Sequence, residues 1–88
     1  MRVAVKAFAM LPGKLGNRCP DLLPTGFHAG MPFLVELTAG AVVNDVLSEL
    51  KLEEGEVLNV FVNGRSVTLE TPLSDRDELG LFPPVGGG

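Results

Sequence analysis

Hydrophobic and polar positions alternate with period two from Arg2 to Ala9, with Val3, Val5, Ala7 and Ala9 on one face and Arg2, Ala4, Lys6 and Phe8 on the other. That period, with β-branched residues, predicts a strand. Pro32 to Thr38 alternates in the same way, with Phe33, Val35 and Leu37 opposite Leu34, Glu36 and Thr38. Past Ala39-Gly40 the period changes. Val43, Val46, Leu47 and Leu50 recur at i, i+3, i+4 and i+7, which predicts one apolar helix face with Asn44, Asp45, Ser48, Glu49 and Lys51 opposite. No good N-cap precedes this helix, since Gly40 or Ala41 stands where Ser, Thr or Asp is favoured. Glu53-Glu54-Gly55 is expected to end it.

Val57 to Val62 and Arg65 to Glu70 flank Asn63-Gly64, a strong hairpin signal because both central residues of a type I′ turn need φ > 0. Leu58, Val60 and Val62 are expected on one face, continued by Val67 and Leu69, with Asn59 and Phe61 on the other. Ser74-Asp75-Arg76-Asp77 reads as a polar turn, and its spacing with Glu78 matches no calcium loop. Glu78 to Phe82 is a last short strand. Between the first two strands, Met10 to Gly30 holds Pro12, Pro20, Pro24, Gly13, Gly16, Gly26 and Gly30, and no long helix or strand is expected there. It reads as a surface loop with Leu22, Leu23 and Phe27 tucked onto the domain.

Strand, loop, strand, helix and three further strands predict an α+β layer fold. With a crossover helix after the second strand, the first and last strands can lie together at the sheet centre. This is the β-grasp (ubiquitin-like) arrangement, a mixed four- to five-stranded sheet on one main helix. A single domain over residues 1–88 is expected, with a long loop at 10–31 and an extended flexible tail at 83–88.

Composition narrows the function classes. Eighty-eight residues leave little room for a catalytic cleft beside a core, which favours a binding module, carrier or subunit. Seven basic and eleven acidic residues give a net charge of −4, and the basic ones are scattered, which argues against a nucleic-acid partner. No apolar run approaches the ~18 residues of a membrane span, so no membrane partner is expected. The lone Cys19 forms no internal disulfide, which fits a reducing compartment and a cytoplasmic location. Cys19, Asp21 and His28 share the long loop, but one Cys and one His do not make a metal site, and a Cys–His nucleophile pair lacks an evident orienting group.

The remaining candidate chemistry is the end, Leu81-Phe82-Pro83-Pro84-Val85-Gly86-Gly87-Gly88. Proline fixes φ and disfavours helix before it, so Phe82 to Val85 should run extended. Glycine lacks Cβ and passes where a side chain does not fit. A frayed linker would have no need of Phe-Pro-Pro-Val before the glycines.

With the element order, the Val62-Asn63-Gly64 hairpin and the stretch from Asp77 to Gly88, the chain resembles the sulfur-carrier proteins. These comprise the small subunit of molybdopterin synthase (MoaD-type) and the thiazole-synthesis carrier (ThiS-type), and Phe-Pro-Pro-Val before the glycines is closer to the former. The resemblance covers Arg2 to Ala9 and Phe33 to Gly88. The chain departs from the pattern at Gly86, where a small non-glycine residue is common, at Asp75-Arg76-Asp77, where acidic-glycine-acidic is commoner, and in the length of Met10 to Gly30.

The resemblance implies a carried substrate or subunit that is not an enzyme alone. An E1-like adenylating enzyme (MoeB/ThiF type) uses ATP to join AMP to the Gly88 carboxylate, and a persulfide sulfur donor then converts it to a thiocarboxylate. Gly86 and Gly87 thread the partner active sites. Phe82, Pro83, Pro84, Val85 and Phe61 contact partners, among them the large subunit of molybdopterin synthase or an equivalent acceptor protein. Core packing is the alternative for Phe82 and Phe61. No bound cofactor is implied. Molybdopterin (molybdenum or tungsten cofactor), thiazole and a tRNA base all remain open as sulfur acceptors. So do a ubiquitin-like modifier that forms isopeptide bonds and a plain β-grasp adaptor.

Overall fold

The computed structural model describes residues 1–84. Its five-stranded sheet has the order β2-β1-β5-β3-β4, built from β1 (Arg2–Ala7), β2 (Phe33–Glu36), β3 (Asn59–Val62), β4 (Arg65–Val67) and β5 (Glu78–Phe82). β1 and β5 run parallel at the centre, with Ala7 opposite Leu81, as the β-grasp arrangement requires. The other pairings are antiparallel. A parallel pair needs a crossover connection, and here everything from Phe8 to Asp77 lies between the two central strands.

One face of the sheet carries the core. Val3, Val5 and Ala7 of β1, Leu79 and Leu81 of β5, Val60 of β3 and Val35 of β2 are buried there. The helix α2 (Val43–Glu49) supplies buried Val43, Val46 and Leu47, followed by buried Leu50. The poor cap is made good from inside the helix, because the Asp45 carboxylate accepts the Val42 backbone N–H at 2.8 Å. The helix ends at Glu49 with Leu50 as its C-cap, earlier than the expected Glu53. Lys51 takes φ +59°, its N–H donates to the Ser48 carbonyl at 3.1 Å, and Leu52 N–H donates to the Leu47 carbonyl at 2.9 Å. That is a Schellman ending with lysine where glycine is usual, secured by burial of Leu52.

The stretch expected as a loop at 10–31 contains a second helix, α1 (Leu11–Arg18), and a 3₁₀ turn at Pro20–Leu22. Pro12 falls in the first turn, where its missing N–H breaks no helical bond. A Cβ at Gly13 or Gly16 would meet nothing within 4 Å, so both glycines lie on open sides of the helix. Leu11, Leu15 and Cys19, at i, i+4 and i+8, are buried in the core. Burial of that face outweighs the poor intrinsic propensity of two glycines. Leu23 and Phe27 pack onto the core as expected, but Leu22 is exposed.

Two strand boundaries also differ. β1 stops at Ala7 because Ala9 turns to φ +56°, so Ala9 does not continue the inward face. Leu58 is 60% exposed, not buried with Val60. A 3₁₀ turn at Glu54–Glu56 delivers Val57 to the core instead, and regular alternation begins only at Asn59. The hairpin is as expected, with Asn63 at φ +51° and Gly64 at φ +83°.

Candidate functional site

The tail leaves the sheet from its centre. β5 is bonded on both flanks up to its last residue: Phe8 N–H donates to the Leu81 carbonyl at 3.2 Å, and Leu58 N–H donates to the Phe82 carbonyl at 2.8 Å. Alternation continues one residue past the strand, so Pro83 is buried and Pro84 exposed. Pro83 therefore belongs to the folded domain rather than to a loose tail. Val85, Gly86, Gly87 and Gly88 lie outside the described residues.

Opposite the core, the sheet end nearest Pro84 is aromatic. Phe82 stacks on Phe8 with ring centroids 4.5 Å apart and planes 3° from parallel, and it meets Phe61 edge-on at 5.6 Å. All three rings are half-buried. The register explains the grouping, because Ala7 pairs with Leu81 and Asn59 with Phe82 across the two flanking strands. Gly30, at φ +80°, lies beside Phe8 closely enough that a Cβ there would sit 3.4 Å from the ring. The Gly30 N–H donates to the Ala7 carbonyl at 2.9 Å, so the returning loop helps to fix the Phe8 ring.

Next to this cluster is an open groove of about 650 Å³, lined by Ala9, Met10, Asn59, Phe61, Phe82, Pro83 and Pro84. Among the described residues none that lines it is ionisable, and Met10 is 53% exposed. A surface of this kind is suited to covering by a partner. Among the described residues it holds no nucleophile, general base or metal ligand. It sets Pro83 and Pro84 beside an apolar surface.

The other sequence candidates are placed elsewhere. Cys19 is buried, with its thiol directed at the Leu50 carbonyl at 3.6 Å, and burial raises its pKa. Exposed His28 has Nδ1 3.1 Å from the Gly26 carbonyl of its own loop. Among the described residues no three His, Cys, Asp or Glu side chains gather to hold a metal, and no helix is long and apolar enough to cross a membrane. The strongest electrostatic unit lies on the helical side. Glu56 accepts Arg18 Nη2 at 2.9 Å and Lys14 Nζ at 2.8 Å. The Arg18 hydrogen bond, followed by the Glu53 backbone N–H and Lys14, holds the Glu56 carboxyl well below the usual carboxylate range. This unit ties α1 to the turn before β3.

Sequence pattern singles out Phe61 and Phe82, but not Phe8, Ala9, Met10 or Asn59. A signal for Phe8 does exist, since alternation puts it on the face away from Val5 and Ala7. What the pattern lacks is the register that sets Phe8 against Phe82.

Fold and site together define a β-grasp domain whose central strand β5 runs into Pro83 and Pro84 beside an apolar groove. A family profile described as the ThiS family matches residues 29–88, and the chain belongs to that family, a group of sulfur-carrier proteins. It is 40% identical to small archaeal modifier protein 3 of Haloferax volcanii over 65 residues, covering 54% of this chain and 71% of that protein. It is 49% identical to the molybdopterin synthase sulfur carrier subunit of Escherichia coli K12 over 39 residues, covering 44% of this chain and 47% of the relative. Its structure matches that of molybdopterin converting factor subunit 1 of Pyrococcus furiosus with a TM-score of 0.68 at 30% identity, over 97% of this chain and 99% of the other.

Proposed function

We propose that the chain is a sulfur carrier whose Gly88 carboxylate is adenylated and converted to a thiocarboxylate for molybdopterin biosynthesis, with molybdenum or tungsten cofactor as the end product. The observation that carries this reading is the bonding of β5 to the β1 side through Leu81 and to the β3 side through Phe82, with buried Pro83 and exposed Pro84 next to the apolar groove. The kinship with a molybdopterin synthase sulfur carrier subunit supports it.

A carboxylate is a poor acyl donor because oxide is a poor leaving group. A carboxylate oxygen attacks the α-phosphorus of ATP on an E1-like enzyme, and pyrophosphate leaves. A persulfide sulfur then displaces AMP from the acyl carbon, and cleavage of the S–S bond by a second thiol leaves the thiocarboxylate. Both partner sites must exclude water from the reacting carbonyl. Gly86 and Gly87 pass into them without steric conflict, and Pro83-Pro84 reduces the entropy lost on docking. Phe82, Phe61 and Val85 contact the activating enzyme and, in turn, a large synthase subunit. The carrier supplies no base of its own. We place it in the cytoplasm, where the free thiol of Cys19 stays reduced.

The test is intact mass after incubation with ATP, an E1-like enzyme and a persulfide donor. A mass gain matching one oxygen-for-sulfur exchange at Gly88 is expected. One residue added after Gly88 should abolish it, and retained loading in that variant would sink the mechanism.

The relationship to a small archaeal modifier protein favours one second reading, in which the Gly88 acyl group passes from its adenylate to a lysine amine of another protein and AMP leaves. Lysine-linked Gly88 remnants in digests of cell lysate would establish it, and their absence would leave the carrier reading alone.

A further inference from the structure

The free edge of β2 and the acidic groove beside it lie apart from the aromatic site. Met1 and Leu37 exchange two hydrogen bonds: the Met1 amino group donates to the Leu37 carbonyl at 2.8 Å and Leu37 N–H donates to the Met1 carbonyl at 2.8 Å. Bonded and non-bonded pairs alternate along an antiparallel ladder. In the observed register Val35 and Phe33 therefore bond to β1, while the backbone groups of Leu34 and Glu36 turn outward. Among the described residues no backbone hydrogen bond outside the ladder reaches Leu34 or Glu36.

Phe27 packs edge-on against Phe33 at the start of the strand, and the 3₁₀ turn at Pro20–Leu22 also approaches β2. Past Val35 the edge opens into a groove of about 620 Å³ between β2 and α2. Leu37 and Ala41 form its apolar floor, Thr38 and Ser48 add hydroxyls, and Asp45 and Glu49 give it negative charge, while the Glu36 side chain lies on the Leu34 face, paired with Arg2 at 2.6 Å. On the opposite sheet face Leu34 is 56% exposed. β2 is only four residues long, but it carries neither lysine nor proline, the residue types that most directly protect a sheet edge.

We propose that β2 is a docking edge for an extended peptide of another protein, with apolar residues flanked by lysine or arginine. The peptide adds a strand alongside β2. Its backbone takes the outward groups of Leu34 and Glu36, which is strand addition with alternate side chains read by pockets. Residues on one side of it lie over Leu37 and Ala41, and those on the other meet Leu34. The groove carboxylates select the occupant, because Asp45, Glu49 and the net charge of −4 disfavour an acidic segment. This site is independent of Gly88 chemistry, so a failed sulfur-loading assay and a failed peptide titration are separate results.

Two capped peptides with the same valine–isoleucine core, one flanked by lysines and the other by glutamates, are titrated into the isotope-labelled full chain and followed by amide shifts and hydrogen exchange. The lysine-flanked peptide should protect the Leu34 and Glu36 amides, and the glutamate-flanked peptide should not. Glu49→Lys, in the last turn of α2 where a cation suits the helix dipole, should keep the fold and weaken binding about tenfold. Leu34→Lys should weaken it as well. Absence of protection at Leu34 and Glu36, shifts confined to Phe8, Phe61 and Phe82, or equal binding of both peptides would overturn the proposal.

Discussion

Arg76 sits at φ +71° in the turn that leads into β5, at the position where the resemblance expects glycine. An L-residue in the left-handed region costs roughly 1–2 kcal/mol from Cβ–carbonyl crowding. Replacing it by glycine relieves that crowding, while the freer unfolded chain takes back about 0.5–1 kcal/mol. The side chain itself does little in the folded domain. It is 93% exposed, and its guanidinium lies 4.0 Å from Asp75, an exposed pair worth little. The hydrogen bonds that hold the turn do not need it: Arg76 N–H donates to the Arg2 carbonyl at 2.7 Å, and Asp75 accepts Arg2 N–H at 2.7 Å. Arg76→Gly is therefore expected to stabilise the domain by about 0.5–1 kcal/mol, raising Tm by roughly 2–8 °C. Urea unfolding should show a higher midpoint with an unchanged slope. Arg76→Ala is the control, since it removes the charge and keeps the Cβ, and it should stay within about 0.5 kcal/mol of the parent. If Arg76→Gly is no more stable than Arg76→Ala, strain at this residue does not have the magnitude assigned to it.

Phe8→Ala removes the ring stacked on Phe82 and should cost about 1–2 kcal/mol in urea unfolding; an unchanged midpoint would mean that the stack does not help to hold the base of the tail. Asn63→Gly keeps a left-handed turn residue but deletes the side-chain bonds to Asp77 at 2.9 Å and to Glu78 N–H at 3.0 Å. A loss of about 1–2 kcal/mol is expected, and no loss would confine the role of Asn63 to its backbone. The folded-state pKa of Glu56 is depressed, so its contribution is present above the ordinary carboxylate range and is lost as pH falls through the lower folded value. Glu56→Gln should therefore lower Tm at neutral pH and narrow its gap to the parent under strong acid; a gap that is constant with pH would refute the linkage. Cys19, buried with a raised pKa, should react with a thiol reagent far more slowly in the folded chain than in urea, and equal rates would contradict its placement.

Local pattern by itself determined the elements whose signals are carried by neighbouring residues. Alternation at Val3-Val5-Ala7, the Val43-Val46-Leu47-Leu50 stripe and Asn63-Gly64 each specify a strand, a helix face or a turn within a few residues, and all three are found. Their order was enough to place β1 beside β5, because a crossover helix makes that pairing available. The glycines and prolines of Met10 to Gly30 obscured α1, since propensity is a local quantity while Leu11, Leu15 and Cys19 gain their stability only from a core assembled by distant strands. Leu58 was misplaced for a related reason: the 3₁₀ turn that exposes it is held by Glu56, whose partners Lys14 and Arg18 are distant in sequence.

The site divides along the same line. The Phe-Pro-Pro-Val-Gly-Gly-Gly end and its kinship were legible in the sequence, because a run of prolines and glycines is defined by its own residues. The surface beside it was not, since Phe8, Met10, Asn59 and Phe61 come from separate segments. Only the parallel register of β1 on β5 and the antiparallel register of β3 on β5 bring them to Phe82. Local residue order sets what the chain end is made of. The tertiary structure decided what stands next to it, because hydrogen-bond register between strands distant in sequence is settled only when the core closes.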